Sequence, residues 1–245
     1  MNGILVRIGV DQAYGGWNAP VSSSTGDFVY VPIPDNPGKK YSPQKQRDYS
    51  EAVASLNAFA HRHGLGTCEA LGWDDKFLAR KMHLDPDFEY LTYGDNGVRR
   101  GAGVASLGNG DILVFYAGLR SIDTCDRLVY AMIGLYVVDS IVSAKSVPPA
   151  RLHENAHTRW DVTSSNDIVV RAQRHYSGRL ERCIPIGEWR DKAYRLRADI
   201  EQEWGGLSVK NGYLQRSAAP PRLRDAARFY RWFLSQGVSL HARNF

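Results

Sequence analysis

Gly110-Asp111-Ile112-Leu113-Val114-Phe115-Tyr116-Ala117-Gly118-Leu119-Arg120, followed by the apolar run Leu128–Val142, is the stretch whose reading sets the fold. Asn109-Gly110 supplies turn chemistry, and the β-branched and aromatic residues after it read as a buried strand. The second run is mostly apolar and is interrupted by Gly134. It reads as one long strand bent at the glycine or as two strands, with a single buried helix as the competitor. Two such segments joined by a polar loop build curved sheets and partly open barrels.

Upstream, Ile4, Val6, Ile8 and Val10 alternate with Leu5, Arg7 and Gly9, which predicts a strand running into Asp11 and a glycine-containing turn. Phe28–Ile33 reads as another strand, closed by Pro32 and Pro34. Ser50 and Glu51 open a helix to about His63, with Val53, Leu56, Phe59 and Ala60 as its stripe and Gly64 as its stop. A short helix near 75–82 and a strand over 88–93 follow.

Downstream, Pro148-Pro149 precedes a short helix, and 168–171 and 183–186 read as strands. Asn211-Gly212 between 207–210 and 213–216 predicts a hairpin, and Pro221 starts a final helix ended by Gly237. The class is therefore α+β: a mixed curved sheet or partly open barrel with flanking helices. The expected organisation is one unit over residues 1–245, with a possible subdivision near 147–150.

Apolar residues make up 43% and charged residues 23% of the chain, values that suit a globular core. No run approaches the roughly 18–20 apolar residues of a membrane span, and the N-terminus lacks a basic n-region. Cys68, Cys125 and Cys183 are odd in number and widely spaced, which argues against a disulfide framework or zinc knuckle. A cytoplasmic protein with reduced thiols is expected. Residues 151–245 carry 17 Lys/Arg against 10 Asp/Glu, and 15 of those 17 are arginines. Forked guanidinium groups suit phosphate, so a polyanionic partner is one reading and a solvated basic surface the other.

Asp11 stands where an apolar strand meets a turn, the place for a general base or a sugar-hydroxyl acceptor. Gly15 and Gly16 permit close backbone approach, and Trp17 offers a face for stacking on a base. A capped turn with a core indole is the alternative. His83-Leu84-Asp85-Pro86-Asp87 holds metal-ligand residue types, but Pro86 and the short spacing favour a turn or a cap, so no metal ligand is assigned. Asp95, at a strand end, is the second-choice carboxylate. Tyr116 and Arg120 would reach a ligand at the mouth of a partly open barrel, with a core position for Tyr116 as an equal alternative. His157 titrates near neutrality and Arg159 suits a phosphate, against the alternative of a helix end closed by local contacts.

Several of these stretches occur together and in order in one family. Ile4–Asp11, Gly16-Trp17-Asn18-Ala19-Pro20-Val21, Phe28–Pro34, His83–Pro86, Thr92-Tyr93-Gly94-Asp95, Gly110–Arg120, Asn155-Ala156-His157 and Leu207–Ser217 resemble the third type of nucleotide modification associated domain of bacteria and phages. The resemblance spans nearly the whole chain. It implies a role in making, sensing or processing modified nucleotides or DNA bases, and it adds Asn18, Asn211 and Arg216 to the site candidates. A weaker likeness of Gly110–Val142 to pseudouridine-synthase-and-archaeosine-transglycosylase (PUA-like) barrels implies a pocket for an extruded base.

The leading expectation is a role in modified-nucleotide or modified-DNA-base metabolism, binding a nucleotide or an extruded base; whether the chain is a catalyst or a reader stays open, and in a catalyst Asp11 or His157 would be the acid/base. Trp17, Asn18, Asp95, Tyr116, Arg120, Arg159, Asn211 and Arg216 would hold the nucleotide. The alternatives are a reader of modified bases in DNA or RNA and a regulatory subunit that docks a partner protein. The expected partner is a nucleotide or nucleic acid, DNA ahead of RNA, with no membrane. No cofactor is named. The reading depends on the arginines and the indole converging on one concave surface.

Overall fold

The computed structural model describes residues 1–245 except Tyr14, Gly15, Pro37, Lys39, Arg99, Arg100, Cys125, Asp126 and the stretches 42–45 and 216–218. Ten strands are β1 (Gly3–Arg7), β2 (Pro20–Val21), β3 (Thr92–Asn96), β4 (Ile112–Ser121), β5 (Leu128–Ser143), β6 (Asp167–Ala172), β7 (Gly178–Pro185), β8 (Gly187–Arg190), β9 (Ala193–Leu196) and β10 (Leu240–His241). Eight of them form one mixed sheet in the order β1-β4-β5-β6-β3, with β2 on β4, β7 on β5 and β10 on β7. β1 and β2 run parallel to β4, whereas β4, β6 and β7 are antiparallel to β5. β8 and β9 make a separate hairpin.

β5 is the spine of this sheet, and it is one strand rather than a helix. Its ladder with β4 pairs Phe115 with Gly134 and Tyr116 with Met132, so Ile133 is an extra residue. The bend falls at the glycine because the Phe88 ring packs onto the backbone there: a Cβ on Gly134 would lie 2.5 Å from that ring.

Both faces of the central strands are buried, which explains why they are nearly continuous in apolar residues. One face carries Leu113, Phe115, Ile133 and Tyr136. It packs under α1 (Ser50–Arg62) and an aromatic group of Trp17, Tyr49, Trp73 and Phe77. The other face carries Val114, Tyr116, Met132 and Leu135. It is covered by α4 (Ala198–Trp204) and α5 (Ala226–Ser235) through Trp204, Phe229 and Phe233. Two four-residue helices, α2 (Ala102–Ala105) and α3 (Ala156–Arg159), complete the helices of the described residues.

Several expectations are corrected. The mixed sheet does not close into a barrel; β1 and β3 end its path. Phe28–Ile33 is extended but forms no ladder: Phe28 bridges Val21, and the Val31 and Ile33 carbonyls accept the Val10 and His83 N–H groups. The strand expected at 88–93 starts at Thr92, because Asp87 and Thr92 exchange backbone hydrogen bonds around a turn. The hairpin at Asn211-Gly212 does not form. Leu207 bridges Leu223, Tyr213 bridges Arg195, and Lys210–Gly212 is a 3-10 turn. The last helix begins at Ala226, where the Asp225 carboxylate accepts the Arg228 N–H, while the Pro221 carbonyl accepts the Leu5 N–H.

Candidate functional site

A cavity of about 510 Å³ opens along β1 and its continuation to Asp11. That size falls within the roughly 300–1,000 Å³ of small-ligand sites. Its lining includes Arg7, Asp11, Gln12 and Asn18, the tyrosines 93, 116, 130 and 194, and a cluster of His83, Asp85, Asp95 and His157.

Three remote segments build that cluster. Asp85 follows the residues that bridge Pro34 and Asp48, and its Oδ1 accepts the Gly94 N–H (2.8 Å) and the Asn155 amide (3.1 Å). Asn155 also caps α3, accepting the His157 N–H at 2.9 Å, so one side chain sets both the helix start and the carboxylate. Oδ2 of Asp85 then lies 3.8 Å from Nε2 of His83 and 3.7 Å from Nε2 of His157. The imidazole of His157 can come this close only because position 94 is glycine: a Cβ there would lie 2.4 Å from its Cδ2.

A second layer of carboxylates backs the imidazoles. Asp35 Oδ2 is 3.5 Å from Nδ1 of His83, and Asp167 Oδ2 is 3.2 Å from Nδ1 of His157. Each carboxylate orients the ring it faces through this pairing and its opposite charge. The Trp160 ring stacks on His83 and donates its N–H to Asp35 (2.9 Å).

These surroundings move the protons. Burial pushes the Asp85 carboxyl up to about 6, while His157, His83, the Gly94 N–H and Asn155 restrain it. Burial lowers His157, but Asp167, Asp85 and Asp95 outweigh it and leave the imidazole above its ordinary value. Asp35 is held below the usual range, since His83, Trp160 and the Asn36 N–H more than offset its burial.

Of the residues read from the sequence, Asp11, Asn18, Asp95, Tyr116 and His157 line the cavity together. Asp11 accepts the Ala13 N–H and pairs with Arg7 at 3.1 Å. The Asn18 amide donates to the Gly118 carbonyl, Tyr93 donates to Asp95, and the Tyr116 hydroxyl donates to the Leu214 carbonyl.

The others lie elsewhere. Trp17 is buried in the aromatic core with its N–H on the Leu71 carbonyl, so it offers no face for a base. Arg159 is buried in an ion pair with Asp87 and is not available to a phosphate. Arg120 is exposed outside this lining, and Asn211 sits on the 3-10 turn. Arg216 lies outside the described residues. Among the described residues, Arg120, Arg159 and the Trp17 indole therefore do not converge on the cavity. Arg151, Arg171, Arg195 and Arg197 of the basic half pair with acidic neighbours.

Sequence reasoning passed over Arg7, His83, Asp85, Tyr130 and Tyr194. A signal existed for two of them: His83 and Asp85 are two residues apart, and in extended chain such residues share a face.

A family model described as nucleotide modification associated domain 3 matches residues 2–227 of this chain. The chain belongs to that family. The family's name ties it to nucleotide modification, and the stretches that carried the resemblance supply most of the cavity lining, His83, Asp85 and His157 included. Neither the curated proteins nor the solved structures contain a significant match. Among the described residues no helix is long and apolar enough to cross a membrane.

Proposed function

We propose that this member of the nucleotide modification associated family takes a nucleotide, or a base extruded from DNA, into the cavity along β1 and acts on it. The observation that carries this reading is the meeting of His83, Asp85 and His157 at the cavity. A reader needs stacking faces and cations; it does not need two imidazoles aimed at one buried carboxylate, which cost stability to assemble.

Arg7, over the Tyr130 ring and beside Asp11, is the cation placed to meet a phosphate or sugar. Tyr116, Tyr130 and Tyr194 give the apolar wall a base requires. Asp11, paired with Arg7, and Asp95, which accepts the Tyr93 hydroxyl, are further carboxylates of the lining. The proposed partner is accordingly a nucleotide or DNA, met in a cytoplasmic setting.

The test is nucleoside analysis of DNA and of the nucleotide pool from cells expressing the wild type or Asp85→Asn. A nucleoside gained or lost only with the wild type is expected. Identical profiles, together with no retention of deoxynucleoside monophosphates by either purified protein, would remove the proposal. Retention that is salt-sensitive and equal in both proteins would instead support the reader.

A further inference from the structure

We infer that His83, Asp85 and His157 are the protein ligands of a divalent transition metal, zinc or ferrous iron, whose remaining coordination positions face the cavity. The inference deepens the proposed function by naming a cofactor class for the same site. It also stands on geometry of its own.

One ligand atom from each of the three residues lies within 4.8 Å of the other two. Oδ2 of Asp85 is nearly equidistant from the two Nε2 atoms, at 3.8 and 3.7 Å. Those separations are too long for direct hydrogen bonds, so the three groups are not held together by bonding to one another. They suit one atom at the centre: bonds of about 2.1 Å place neighbouring donors roughly 3.0–3.5 Å apart, and small inward movements close the difference.

The outer contacts fit the same role. Each Nδ1 faces a carboxylate, Asp35 or Asp167, which favours the tautomer with the proton on Nδ1 and leaves Nε2 as the ligand. The second oxygen of Asp85 is fixed by Gly94 and Asn155, which points the free one inward. Three buried carboxylates around two imidazoles also leave negative charge that a dication balances. The imidazoles keep 14% and 12% side-chain exposure, so the site is reached from the cavity. Two histidines and a carboxylate with open positions are the donor set of catalytic zinc and of non-haem iron.

The experiment uses full-length protein stripped with a chelator and dialysed, then titrated with zinc, with cobalt(II), or anaerobically with ferrous iron, and no nucleotide present. One tight equivalent is expected, with cobalt d–d bands in the visible. Asp85→Asn and His157→Gln should weaken uptake at least about 100-fold, and Asp167→Asn about 10–100-fold, with thermal unfolding as the folding control. The zinc and iron arms decide the metal.

Failure of the wild type to bind any of the three below about 100 µM would overturn the inference, as would equal uptake by folded variants. Should the variants not fold, pulsed electron paramagnetic resonance of the copper(II)-loaded wild type decides: two coupled imidazoles support the site, and none removes it. Because nucleotide is omitted, metal uptake without nucleotide retention sinks only the proposed function, and retention without uptake sinks only the metal site.

Discussion

Two acid–base clusters sit two residues apart on the same pair of segments, and they are built for different ends. Asp85 and His157 face the cavity; Asp87 and Arg159 face the interior. The inner pair is closed. Asp87 Oδ1 accepts the Asn244 amide and the Glu89 and Tyr90 N–H groups, Oδ2 meets Arg159, and the guanidinium also donates to the His153 carbonyl. The outer cluster holds imidazoles at distances that leave room between them. A permanently charged guanidinium locked to a carboxylate is structural; titratable groups kept apart at a cavity are chemical. The separation follows from α3: two helical residues on, a side chain has turned about 200° and emerges on the opposite side.

This contrast predicts a graded set of effects. Arg159→Met should cost the most, about 3–5 kcal/mol in denaturant unfolding, because it leaves Asp87 buried without its cation. A loss under about 1 kcal/mol would show that the inner pair is no more structural than the outer cluster. Gly94→Ala should come next, at about 1–3 kcal/mol, since the new methyl displaces His157 or Asn155. Metal uptake or nucleoside conversion should fall far more than that stability loss explains.

Asp85→Asn should change unfolding by less than about 1 kcal/mol, since the amide oxygen keeps the Gly94 and Asn155 bonds, yet abolish function. Unfolding as severe as that of Arg159→Met would erase the distinction between the clusters.

The smallest effect belongs to a carboxylate in neither cluster. Asp111 is partly buried, but the N–H groups of Asn2 and Gly108 outweigh that burial and lower its folded pKa. Its contribution is therefore present above its unfolded pKa and lost as pH falls through the folded value. Asp111→Asn should be slightly less stable than the wild type at neutral pH, and the two should converge in acid. A gap that does not narrow as the pH falls would show that the charge is not what matters.

The residues that reached the cavity from sequence reasoning share a cause. Asp11 and Asn18 lie between β1 and β2, Asp95 near the end of β3 and Tyr116 on β4, so the local pattern already limited where they could point. Trp17 and Arg159 were misplaced for the opposite reason. Their chemistry suits a ligand and a core equally, and only the Leu71 carbonyl and the Asp87 carboxylate, 54 and 72 residues away, decide which. The Asn211-Gly212 hairpin failed likewise, because both flanks found remote partners.

By itself the sequence determined β1, β4 and α1, because apolar periodicity and turn chemistry act over a few residues, and it narrowed β5 to one bent strand, two strands or a helix. The in-order motifs also determined the family. Tertiary structure alone decided that His83, Asp85 and His157 meet, that Asp35 and Asp167 stand behind them, and that Arg7 is the arginine of the cavity lining among the described residues. The cluster with its backing carboxylates alone joins Asp35 to Asp167, 132 residues apart. Such pairings are set by how the sheet stacks its faces, and no local propensity records that.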